Sequence, residues 1–94
     1  MSTLHLTLHR RWFNDILDGT KTTEFRAKTP HWVARLEHRR GDYDRVLFRN
    51  GYGRQSPVMA LECRGIVDGE WRGAPAYHIR LGRLLFVANW QRSQ

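Results

Sequence analysis

Asp15-Ile16-Leu17-Asp18-Gly19-Thr20-Lys21-Thr22-Thr23-Glu24-Phe25-Arg26 decides how this chain is read. The stretch begins as the end of a helix, stops at a glycine, turns, and continues as a strand rich in β-branched and aromatic residues. Gly19 stands where a left-handed C-terminal cap belongs. Lys21, Thr22, Glu24 and Arg26, all able to bind an anion or move a proton, fall where helix hands over to strand. An extended segment so crowded with charge and hydroxyls makes poor core and reads as the wall of a polar site.

Upstream, Thr3 to His9 alternates: Leu4, Leu6 and Leu8 on one face, His5, Thr7 and His9 on the other, the pattern of a half-buried strand. Arg10 to Asp18 follows as a helix with Trp12, Phe13, Ile16 and Leu17 at helical spacing, Trp12 reading as core or as a lid. Downstream, Lys21 to Ala27 reads as the second strand. Alternation puts Lys21, Thr23, Phe25 and Ala27 on one face and Thr22, Glu24 and Arg26 on the other. Phe25 then points to the core, and a Glu24–Arg26 salt bridge is the plain structural account of the opposite face.

Thr29 is a fitting N-cap and Pro30 a fitting first residue for a second helix, reaching about His38, with Trp32, Val33 and Leu36 on its buried side. Arg35, His38, Arg39 and Arg40 put cations at its C-terminal end, where the helix dipole favours them, and Gly41 ends it. Arg45 to Asn50 is a strand with the apolar run Val46-Leu47-Phe48. Arg49-Asn50-Gly51-Tyr52-Gly53-Arg54 carries the Asn-Gly signal of a hairpin and also sets a tyrosine between arginines, a stacking-plus-phosphate arrangement.

Pro57 to Val67 reads as a long strand, Asp68-Gly69-Glu70 as a turn, and Trp71-Arg72-Gly73 as a loop with a second exposed aromatic–arginine pair. Ala76 to Leu81 is a strand with Tyr77, Ile79 and Leu81 inward; Gly82 bends the chain into a last strand, Arg83 to Trp90. Residues 1–2 and 91–94 read as frayed tails. The order β-α-β-α followed by three or four strands predicts an α+β fold: a small mixed β-barrel of about five to six strands with two helices early in the chain.

Ninety-four residues leave room for one domain, 1–94. Sixteen Lys and Arg against nine Asp and Glu give a net charge of +7, and a pI near 10.8 is the electrostatic footprint of a nucleic-acid binder. An acidic protein partner is the competing account of that charge. One cysteine, Cys63, excludes an intramolecular disulfide and a cysteine-built metal site. No leader-like start and no apolar run of membrane-spanning length is present, so a cytoplasmic, membrane-free protein is expected. The five histidines lack metal-ligand spacing, and there is no Gly-rich phosphate loop, His-Glu-x-x-His or nucleophile elbow. No metal and no cofactor is therefore expected.

The segment Ile16-Leu17-Asp18-Gly19-Thr20-Lys21-Thr22, with Glu24 and Arg26, resembles the ASCH domains of the PUA-like barrel superfamily, whose pattern is a helix, Gly-x-Lys-Thr, then an acidic or hydroxyl residue and an Arg. Val46 to Phe48 and Tyr77-x-Ile79-x-Leu81-Gly82 fit the rest of such a domain. The resemblance implies a β-barrel whose cleft binds RNA or nucleotides. One branch of the family hydrolyses N4-acetylcytidine with a Lys, a Thr and a Glu. Its Lys matches Lys21, its Thr falls on Glu24, and its Glu comes from a helical segment where this chain has only residues 68–75.

The expected site is thus an RNA- or nucleotide-binding cleft. Lys21, Arg26, Arg49 and Arg54 would meet phosphate, Tyr52 and Trp71 would stack on bases, and Thr22 and Glu24 would read polar edges. The alternative is an enzyme on the same residues, a ribonuclease or a hydrolase of a modified nucleoside. Lys21, Glu24 and Thr22 would then be catalytic.

Overall fold

Leu4 and Leu6 turn one face of the first strand inward while His5 and Thr7 stay exposed, so β1 (Ser2–Thr7) forms as its alternation requires. The structure, a computed structural model, describes residues 2–90. After β1 come α1 (Arg10–Leu17), β2 (Thr23–Ala27), α2 (Pro30–Leu36), a 3-10 turn (Arg40–Asp42), β3 (Tyr43–Arg49), β4 (Val58–Trp71) and β5 (Ala74–Ala88). Ser2 belongs to β1 rather than to a frayed end, and the other tail residues, 1 and 91–94, lie outside the described residues.

The five strands form one mixed sheet in the order β1-β3-β4-β5-β2. β1 pairs parallel with β3, and every other pairing is antiparallel. The ladder does not close: β1 and β2 remain as edges. The α+β class and the two early helices are as expected, and the five strands among the described residues fall within the five to six expected.

The late chain departs from the sequence reading. Asp68-Gly69-Glu70 is not a turn but part of β4, paired with Tyr77, Ala76 and Pro75. The reversal comes at Arg72-Gly73, both with positive φ (54° and 78°), the backbone that a two-residue hairpin of right-handed twist demands. Trp71 therefore ends a strand instead of sitting in a loop. Gly82 does not break β5 either, which runs unbroken through Ala88. The resulting β4–β5 ribbon slips register three times between Ala60 and Gly65, where Gly65 takes φ +137°. Such bulges bend and twist a ribbon, and so bring the two sheet edges round toward one another.

Phe13 and Ile16 of α1 and Leu36 of α2 are buried in the same core as Leu4, Leu6, Val46, Phe48, Met59, Tyr77 and Ile79. α2 stops at Leu36, earlier than expected, and Val33 is exposed rather than buried. Gly41 lies within the 3-10 turn. Cys63 packs half-buried against the core, and burial pushes its thiol up, away from the reactive thiolate.

One polar network ties α2 to the β4–β5 ribbon. The buried Tyr77 hydroxyl donates to Glu37 Oε1 at 2.6 Å. Arg40 bridges Glu37 (2.7 Å) and Asp68 (2.8 Å), and Lys28 reaches the same Asp68 oxygen. Burial, with the hydrogen bond to Glu37, pushes the Tyr77 hydroxyl up to about 12. Hydrogen bonds from Arg40 and Lys28 draw Asp68 down to about 2. No helix of the described residues is long and apolar enough to cross a membrane.

Candidate functional site

The turn after α1 aims Lys21. Gly19 takes φ +86°, Thr20 N donates to Asp18 Oδ1 at 2.9 Å, and Lys21 N donates to Asp15 O at 2.9 Å. The hydrogen bonds from Thr20 hold the Asp18 carboxyl below its ordinary value. β2 begins only at Thr23, so Lys21 is not bound by strand alternation. Its side chain joins Glu24 and Arg26 instead of facing away from them. Nζ lies 3.4 Å from Glu24 Oε1, 4.9 Å from the centre of the Trp12 ring and 4.7 Å from that of Phe25.

Among the described residues Glu24 is the one charged residue that is buried, 6% exposed. Arg26 holds its other oxygen through Nη2 (2.7 Å) and Nε (3.1 Å), so each carboxylate oxygen faces a cation. The same guanidinium donates to Thr7 O at 3.1 Å and lies 5.2 Å from the Trp32 ring centre. A carboxylate has about four acceptor positions, so Glu24 keeps capacity for a ligand's donors after these contacts.

Around this floor is a cavity of about 520 Å³ between the two sheet edges, walled by Trp12, Trp32 and Trp71. Four consecutive residues of β2, Glu24 to Ala27, line it, on the strand whose outer edge is unpaired. Phe25 is therefore at the cleft and half-buried, not in the core. It stacks parallel on Trp71 (6.2 Å between centres, 8°) and receives the edge of His78 at 4.7 Å. Arg72 covers Trp71 at 4.4 Å. The lining carries three formal cations, Lys21, Arg26 and Arg72, against one carboxylate.

Lys21, Glu24, Arg26 and Trp71 are thus brought together. Tyr52 lines an adjoining groove that shares Arg26 with the cleft. Three other candidates stand elsewhere. Thr22 accepts from Leu81 N at 3.0 Å through its carbonyl and borders shallow surfaces with Leu81, Arg64 and Arg80. Arg49 donates to Gly53 O at 3.3 Å within its own loop. Arg54 is exposed, and neither arginine lines the cleft or the groove.

Trp12, which the sequence offers as core or as a lid, and Trp32, which it puts on the buried side of α2, both form walls of the cleft. Their signal was present: each stands beside a polar or cationic neighbour, Arg11-Trp12 and His31-Trp32, as Trp71 stands beside Arg72. Among the described residues no group of three or more His, Cys, Asp and Glu is placed to hold a metal ion. In comparisons with known proteins, no family model, no curated protein and no solved structure matches this chain.

Proposed function

We propose that this chain binds RNA, or a nucleotide of it, in the cleft between β1 and β2, as a module of the PUA-like kind that its Gly-x-Lys-Thr stretch resembles. The observation that carries the proposal is a buried carboxylate, Glu24, held between Lys21 and Arg26 beneath three tryptophans. Tryptophan walls accept the face of any base. A fixed carboxylate accepts from an amino edge, as carboxylates do from cytosine N4. The excess of cations suits phosphate, which Arg meets bidentately and Lys as a point charge.

The Lys21–Glu24 contact at 3.4 Å supports a second reading, an enzyme on the same floor, since a lysine and a carboxylate so close can pass a proton. Thr22 does not line that floor; Thr7 and Thr29 are the hydroxyls that do.

Filter binding of single-stranded RNA in rising salt tests the proposal. If the five lysine and arginine side chains that line the cleft and the adjoining groove meet phosphate, log K falls against log salt with a slope of about −3.5. Lys21→Ala lowers affinity across all sequences. A flat salt response, with no quenching of tryptophan fluorescence by RNA, sinks the binding reading. Product released from RNA or N4-acetylcytidine by the wild type, and lost in Lys21→Ala, favours the enzyme.

A further inference from the structure

We infer that the cleft is one of two joined compartments, and that the ligand is a single-stranded oligonucleotide of at least two nucleotides rather than a free mononucleotide, an inference resting on the nucleotide-binding reading above. A second cavity of about 710 Å³ abuts the first, and Arg26 and Trp32 line both. Each volume lies in the range of a small-molecule site.

The two compartments differ in chemistry. The cleft has three tryptophans, Phe25 and a carboxylate, a lining for a base. The second has three arginines (Arg10, Arg26 and Arg35), three histidines (His5, His9 and His31) and no acidic residue, a lining for an anion. Two of the arginines, Arg35 and Arg26, are held in place by contacts with their own elements and neighbours. Arg35 Nη1 lies 3.1 Å from His31 Nδ1 and donates to His31 O at 3.3 Å, while Arg26 is fixed by Glu24 and Thr7.

Tyr52, which lines the second compartment and not the cleft, is 86% exposed and so has no packing role. Its loop is anchored beside the groove: the Asn50 side-chain amide donates to Leu8 O at 2.8 Å, and Asn50 N donates to Pro57 O at 3.0 Å. A base surface in one compartment, with cations and a second aromatic in the compartment that abuts it, match the repeat of a nucleic-acid strand: base, phosphate, base. A mononucleotide, one base and one phosphate, occupies the first two and leaves Tyr52 unused.

The test is a titration of intrinsic tryptophan fluorescence with the four 5′-ribonucleoside monophosphates and with the four homotetraribonucleotides at one salt concentration. The best tetranucleotide should bind at least about tenfold more tightly than the best monophosphate, the scale of one added stacking contact. Tyr52→Ala should shrink that ratio several-fold, and Arg35→Ala should weaken both classes, both positions being exposed and circular dichroism showing the fold kept. Equal affinity for the two classes, or an undiminished ratio in Tyr52→Ala, overturns the inference and leaves the cleft reading standing. Failure of both classes to quench at millimolar concentration overturns the cleft reading as well.

Discussion

The guanidinium of Arg26 donates to the carbonyl oxygen of Thr7 at 3.1 Å and so joins the two edges of the sheet, β2 and β1, which the strand ladder leaves apart. The same group neutralises Glu24. Arg26→Ala should therefore cost stability and binding together, about 2 kcal/mol in urea unfolding, the scale of hydrogen bonds to charged partners. Arg26→Lys should recover little, because a point charge cannot reach both Glu24 and Thr7 as a fork does. Full recovery by lysine would show that charge alone matters.

Glu24→Gln keeps the shape and removes the charge between Lys21 and Arg26. About 2 kcal/mol of stability should be lost, below the full cost of breaking a buried pair because both cations retain some access to water. Chemical denaturation reads this directly; a change under about 0.5 kcal/mol would mean that solvent neutralises the cations.

A Cβ on Gly69 would meet the His78 ring at 2.5 Å. His78 is wedged there by Phe25 on one side and by its 2.9 Å hydrogen bond with Glu70 O. Gly69→Ala should push the ring outward, loosen Phe25 and Trp71, and cost about 1–3 kcal/mol, as overpacking does. Near-ultraviolet circular dichroism should change with it. An unaltered spectrum and melting temperature would show that the ring moves freely.

Thr29 caps α2 through Trp32 N at 3.4 Å, a long bond, so Thr29→Ala should cost about 0.5–1 kcal/mol. Because Trp32 rides on that first turn, the fluorescence of the cleft should shift more than stability does.

Asp68, drawn from 3.8 to about 2, contributes stability that is complete above pH 4 and is lost as pH falls toward 2, since the unfolded chain takes up its proton first. Tyr77, pushed from 10.0 to about 12, contributes stability that is complete below pH 10 and is lost as pH rises toward 12. The fold should weaken at both ends. Asp68→Asn should flatten the acid limb, and Tyr77→Phe the alkaline one, in melts run across pH. Added salt should blunt the acid effect, because the Asp68 pairs are partly open to water.

Local chemistry was legible residue by residue. Leu4 and Leu6 announced the inward face of β1, with Leu8 buried just past its end; Thr29-Pro30 announced the start of α2; Gly19 announced the end of α1; Tyr77, Ile79 and Leu81 announced the inner face of β5. Each depends on neighbours within about four positions, where backbone geometry and side-chain period suffice. Lys21, Glu24 and Arg26 stood out for the same reason, as polar groups in a segment unfit for core.

Other features depended on contacts between distant parts of the chain. Whether 68–70 or 72–73 makes the hairpin depends on pairing Asp68 with Tyr77 and on Arg72 tolerating a positive φ. Which side of α1 and α2 faces the gap, and so whether Trp12 and Trp32 are core or cleft, depends on where the bulged ribbon brings β1 and β2. Lys21 shares a floor with Glu24 only because the strand starts two residues later than its alternation suggests. The residues of the site were thus written in the chain, but their meeting was not: alternation governs a side chain only inside a strand, and the gap exists only once two edges far apart in sequence are bent to face each other.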